Sequence, residues 1–236
     1  MIGPLALAVN CFACENQQHS KNGGKLFMRM RIAITIISMS LLFVACSDPA
    51  ADQTRAVTGE AAKVSPTQTV SGQKYQITPQ NSKIEWIGSK VTGSHNGGFQ
   101  QFTGQVDYAG DPQRSRVNIT IQTDSLTSDD EGLTKHLKTA DFFDTAKFPT
   151  ATFVSTEIKP GGQGGATHTI TGNLTMHGVT KAVSFPATIA VTPDTATVDS
   201  TFSVNRKDFG ISYAGATNNL IRDDVVLKLT IRASKA

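Results

Sequence analysis

From Tyr75 onward, apolar residues recur at every second position in one segment after another, and a period of two is the pattern of a half-buried β-strand. In "RVNITIQTDSL", Val117, Ile119 and Ile121 share one face, with Asn118, Thr120 and Gln122 on the other. "VVLKLTIRA" alternates Val225, Leu227, Leu229 and Ile231 with Val226, Lys228, Thr230 and Arg232. The same rhythm runs through "SKIEWIGSKV", "GFQQFTGQVDY", "PTATFVSTEI", "HTITGNLTM", "VSFPATIAV" and "ATVDSTFSVNR". Eight strands are therefore predicted, separated by turn-rich pieces such as "AGDPQ", "KPGGQGG" and "TPDTA".

The fold class is all-β and antiparallel, with one apolar face per strand. Eight such strands close as a barrel or stack as a sandwich, and alternation alone is compatible with both. The apolar faces carry Trp86, Phe102, Val106, Phe153, Leu174, Met176, Phe185, Ile189, Phe202 and Val204, with Gly88, Gly104, Gly172 and Ala187 among them. Small residues on an inward face suit either a cavity or close packing.

One stretch breaks the rhythm. "TSDDEGLTKHLKTADFFDTAKFP" offers a cap at Thr127 or Ser128, acids in a first turn and Lys135 and Lys138 near the other end. A short helix is predicted from about Asp129 to Lys138, its Leu133 and Leu137 facing the sheet. An irregular loop to Pro149 follows, whose Phe142, Phe143 and Phe148 are placed to plug an opening.

Charge excludes one class of partner. From Tyr75 onward 15 Lys and Arg face 15 Asp and Glu, and residues 46–74 carry three of each. The formal net charge of +3 resides in residues 1–45, so the folded part has no electrostatic footprint for nucleic acid.

The N-terminal region reads as an address. Arg29 and Arg31 precede an uncharged run, Ile32 to Ala45, too short for a membrane span of roughly 20 residues but suited to a signal-peptide core. "FVAC" resembles a bacterial lipobox, with Phe43 where that pattern usually has leucine. The resemblance implies cleavage before Cys46, lipidation of Cys46 and an anchor in the membrane; an ordinary secretory signal is the alternative. Ser47 is not the aspartate associated with inner-membrane retention, so the expected location is the bacterial periplasm, on the outer membrane.

Residues 28–45 are thus a lipoprotein signal and residues 1–27 a mis-assigned extension. Cys11 and Cys14 form a CxxC that no second pair completes. Residues 46–74, rich in Ala, Ser, Thr and Gly, are expected to be a flexible tether, leaving 75–236 as the folded domain. His95, His136 and His168 show no metal-like spacing; no metal and no cofactor are expected.

Three ordered motifs carry a family resemblance: "HLKTADFFDTAKFPTATFVSTEI" from His136, "GNLTMHGVTKAVSF" from Gly172 and "FSVNRKDFGI" from Phe202. Together they resemble the YceI-like family of polyisoprenoid-binding proteins, over Tyr75 to about Ala233. Gly132-Leu133-Thr134-Lys135 departs from that family, which often has an arginine and an aspartate there. The resemblance implies an extended, lipocalin-like eight-stranded barrel that binds, carries or stores a long isoprenoid lipid of quinone or polyprenyl phosphate type.

On that reading the lipid is the ligand. Its tail would be lined by Trp86, Phe102, Val106, Val117, Ile119, Ile121, Phe142, Phe148, Phe153, Leu174, Met176, Phe185, Ile189, Phe202, Val204, Leu227 and Leu229. His136, His177 and Arg206 are the headgroup candidates. His177-Gly178 equally suits a turn, and Arg206 equally suits an ion pair with Asp208 or Asp224. An enzyme acting on an envelope lipid would need His136, His177, Arg206 and Asp208 to converge. A stress-related envelope protein would have a filled barrel. Whether the chain pairs as a homodimer is left open.

Overall fold

The structure, a computed structural model, describes residues 48–63, 70–217 and 219–236. The expected extension, the signal segment and Cys46 lie outside the described residues. In chain order the strands are β1 (Val57–Glu60), β2 (Gln73–Ile77), β3 (Lys83–Lys90), β4 (Gly93–Phe99), β5 (Phe102–Tyr108), β6 (Arg116–Gln122) and β7 (Leu126–Ser128). There follow β8 (Thr150–Pro160), β9 (His168–Met176), β10 (Val179–Val191), β11 (Thr195–Asn205), β12 (Gly215–Ala216), β13 (Asn219–Leu220) and β14 (Asp224–Lys235). One α-helix, α1 (Glu131–Leu137), lies between β7 and β8.

Eight strands close on themselves in the order β2-β5-β6-β8-β9-β10-β11-β14, every pairing antiparallel. Closure leaves no wall strand unpaired, which a sandwich cannot do. The eighth wall differs from the expected one. Lys83–Lys90 pairs with β14 beside the ring and carries β4 and β7 beyond it, its Ile84 and Trp86 still lining the interior, while β2 closes the ring. The cause is the length of β14, whose twelve residues meet β3 at Val226–Thr230 and β2 at Ser234–Lys235.

The expected tether is also corrected over 48–63. β1 pairs with Lys181–Ser184 of β10, Ala56 is buried, and its N–H donates to Ser203 O at 2.8 Å. β10 and β11 pair only at Thr188–Val191 and Ala196–Asp199, so a seam opens beyond that point and residues 54–60 fill it. The backbone groups of the seam supply the order that composition denies the segment.

The apolar faces meet inside. Phe185 stacks on Phe202 at 4.3 Å between ring centroids, within a cluster that includes Ile170, Val183 and Val204. A second cluster holds Tyr75, Ile77, Phe102, Val106, Ile119 and Ile231. The small residues divide: at Gly172 a Cβ would clash with the Phe153 ring, so that position serves packing, whereas Gly88 borders the larger void and leaves room for a Cβ.

α1 is shorter than expected and is capped by Asp130, whose carboxylate accepts from Leu133 N–H at 2.6 Å. Ser128 is unavailable as the cap because it ends β7, paired with Gly97. Leu137 is buried and Leu133 half-buried, both packed toward Trp86 and Phe142.

Candidate functional site

Among the described residues, two voids with largely apolar walls bear on the site. The larger, about 310 Å³, sits where β3 and β9 end and β14 begins, bounded by α1 and the loops that follow α1 and β11. Of the expected lining residues, Trp86, Phe142, Met176, Val204 and Leu227 border it. The smaller, about 110 Å³, lies deeper and has a wholly apolar wall that includes Val106, Val117, Ile119, Ile121, Phe153, Leu174, Phe185, Phe202 and Leu229. Phe99, Met176 and Leu227 border both. The larger is at the lower end of ligand-pocket volumes, roughly 300 to 1,000 Å³.

Phe102, Phe148 and Ile189 border neither void. Phe102 is taken up by the core cluster around Tyr75, and Ile189 packs on the cluster around Phe185. Phe148 lies against the β9–β10 turn: its ring meets that of His177 at 4.8 Å, leaving Phe142 and Phe143 at the cavity.

His177 is the turn residue. It has a φ of 52°, followed by Gly178 at 74°, so the two residues share the left-handed conformation that reverses β9 into β10. Its Nδ1 lies 3.1 Å from Phe209 O. It borders neither void.

Arg206 borders the larger void but is committed to its own loop. Its Nε donates to Arg222 O at 3.1 Å, Nη1 to Ile211 O at 2.8 Å, and Nη2 to Ile221 O at 3.4 Å and to Asp223 at 3.3 Å. Burial pulls the guanidinium below its ordinary value, and Asp223 offsets part of that effect. The partner is thus Asp223, not Asp208 or Asp224, and most of the guanidinium N–H groups are used. Arg206 staples the loop at the border of the larger void.

His136 does stand at the cavity. Its Nε2 is 2.8 Å from Asp141 Oδ2, and its ring lies 5.2 Å from Tyr213 and 5.1 Å from Phe142. The expected lining omits His95, Phe99, Leu133, Ile211, Tyr213 and Ile221, which also border the larger void, as does Phe143 of the loop expected to plug an opening. Tyr213 and Ile221 lie in a stretch with no periodicity, so no pattern marks them. His95 Nδ1 is 2.9 Å from Asp129 Oδ1. Burial raises the Asp129 carboxyl, but hydrogen bonds from His95, Asn96 N–H and Ser128 outweigh it and hold the group below its ordinary value.

Each of the four groups that catalysis would need has a partner of its own. His136 is with Asp141, His177 with Phe209 O, Arg206 with its loop, and Asp208 accepts from Thr58 at 2.7 Å. What the arrangement offers chemically is an apolar void with polar groups at its border.

Residues 75–233 match a family model described as a YceI-like domain. The UPF0312 protein of Pseudomonas putida is 36% identical over 154 residues, covering 62% of this chain and 79% of its own. A UPF0312 protein of Pseudomonas fluorescens is 35% identical over 157 residues, 63% and 81% of the two chains. The crystal structure of Burkholderia cenocepacia BcnA is similar at a TM-score of 0.57 and 27% identity, covering 67% of this chain and 99% of its own. A polyisoprenoid binding domain from Saccharophagus degradans, implicated in plant cell wall breakdown, has a TM-score of 0.54 at 15% identity, with 70% and 99% covered; that likeness is one of fold.

Proposed function

The chain belongs to the YceI-like family, and on that premise we propose that it binds a long-chain isoprenoid lipid of quinone or polyprenyl phosphate type inside its barrel and carries or stores it in the cell envelope. The observation that carries the reading is the void of about 310 Å³ between Trp86, Phe99, Phe142 and Leu227, continued inward by a second apolar void behind Phe99, Met176 and Leu227. An apolar tail is the occupant such walls favour.

The energetics suit carriage. Each methylene withdrawn from water contributes roughly 0.8 kcal/mol, so a long tail is held firmly against loss to solvent. Against a bilayer, already apolar, the same transfer gains little, and exchange with a membrane stays feasible. Cys46, preceded by "FVA", would be the lipid anchor holding the protein in the periplasm on the outer membrane.

The test is lipid extraction from the full chain expressed in a bacterial host and purified, followed by mass spectrometry. A stoichiometric prenyl lipid supports the reading and identifies the cargo. An extract without prenyl lipid, repeated after incubation with membranes, overturns it. Metabolic labelling with palmitate checks the anchor, with labelling lost in Cys46→Ser.

A further inference from the structure

Three of the four large, well-exposed apolar side chains among the described residues gather at one place. Val91 is 56% exposed, Leu220 49% and Tyr213 37%. Val91 N–H donates to Leu220 O at 3.1 Å, and Ile221 N–H donates to Ala214 O at 3.0 Å, so the three stand along one continuous edge. That edge is the mouth of the larger void: Tyr213 and Ala216 are exposed and also border it, as do Lys90 and Ile221. Exposed apolar groups rimming an apolar void mark a surface that meets something apolar.

The N-terminal end of the described chain points to what that is. Asp48 is tied to the same mouth: its Oδ2 lies 3.2 Å from Arg222 Nη1, and its Oδ1 accepts from Ser89 Oγ at 3.4 Å. Both partners border the larger void. Cys46 precedes Asp48 by two residues, and two residues span at most about 7 Å. A lipid on Cys46 would enter the membrane beside the mouth, where a free tether would have allowed roughly 30 Å of stand-off.

We infer that the mouth is a bilayer-docking face, in which Val91, Leu220 and Tyr213 enter the interfacial layer and the larger void opens onto the lipid. Tyrosine, with an apolar ring and a polar tip, suits that layer. The anchor argument rests on the lipoprotein reading above; the rim does not. A carrier seated this way takes up its cargo from the bilayer without passing it through water.

The experiment is amide hydrogen exchange on the purified mature protein, with and without vesicles of phosphatidylethanolamine and phosphatidylglycerol. Protection on vesicle addition is expected at residues 89–93 and 213–217, and none at the turns 161–167 and 192–194 at the opposite end. In Val91→Asp/Leu220→Asp, uptake of a dansyl-labelled prenyl lipid from such vesicles should fall roughly tenfold, with affinity for the same probe delivered in detergent unchanged. Neither residue borders a void, so the binding walls stay intact.

Binding from detergent without rim protection would overturn the inference and leave the carrier reading standing. Rim protection without probe binding would do the reverse. Protection that follows protein concentration and not vesicles would assign the rim to a second copy, and protection equal with and without vesicles would assign the mouth to the chain's own acyl group; either result overturns it.

Discussion

Arg206 binds three carbonyls of the loop from Ile211 to Asp223, and its side chain is only 6% exposed. Arg206→Ala leaves those acceptors without a donor, an expected loss of about 2 to 5 kcal/mol. Arg206→Lys should recover only a small part, because one ammonium cannot follow the planar fork. Urea denaturation checks both variants, and a loss under about 1 kcal/mol in Arg206→Ala would remove the staple from the account. The sequence makes Arg206 the best cation for a headgroup, and at this scale it is least legible. Its partners are backbone carbonyls of a stretch without periodicity, and no side-chain pattern records them. His177 is more legible, because His-Gly between two alternating runs already suggests the left-handed turn that the φ values show.

At the scale of elements, β1 owes its order to the seam between β10 and β11, so it should leave without the barrel. Ala56→Asp puts a charge where Ala56 is buried, and undocking is cheaper than burying an unpaired carboxylate. Trypsin should then cut at Arg55 much faster, while amide protection of β8, β9 and β14 is kept. Unchanged cleavage, or protection lost throughout the barrel, would contradict a separately docked strap.

The link from β4 to α1 carries a pH prediction. Asp129 has a lowered folded pKa, so its contribution is present above the ordinary carboxylate value of about 3.8 and is lost as pH falls through the lower folded value. Asp129 is 38% exposed, so screening limits that contribution to under about 1 kcal/mol. Asp129→Asn should lower the urea midpoint at pH 7, and the deficit should shrink progressively as pH falls below about 3.8. A deficit that does not shrink would assign the loss to packing.

The period of two locates the walls because alternation is a property of each strand by itself. It misplaced the eighth wall and missed β1, because both depend on which backbone edges closure leaves open.

For the whole molecule, the decisive geometry is the narrowing at Phe99, Met176 and Leu227, which border both voids. A methylene occupies about the space of a water molecule, roughly 30 Å³, so the larger void of about 310 Å³ holds on the order of ten carbons. A longer tail must pass into the deeper void of about 110 Å³, which adds room for only about four carbons, so an octaprenyl chain also needs wall side chains such as the flexible Met176 to give way. Alternation marks the inward faces, but which side chains of β4, β9 and β14 part the two voids depends on how those strands come together, and nothing local in them announces it.

Tail length should therefore be the property that this narrowing controls. Leu227→Trp fills it, and affinity for octaprenyl alcohol should fall about tenfold or more while affinity for geranyl alcohol is kept. Leu227→Ala widens it and should speed loading of the octaprenyl chain, at a stability cost of about 2 to 5 kcal/mol. Overpacking in Leu227→Trp costs roughly 1 to 3 kcal/mol, so retention of geranyl binding shows that the variant is folded. Competition titrations with the two alcohols read the result. If both variants lose both ligands in proportion, the tail does not thread between the voids, and the deeper one is a packing defect of the core.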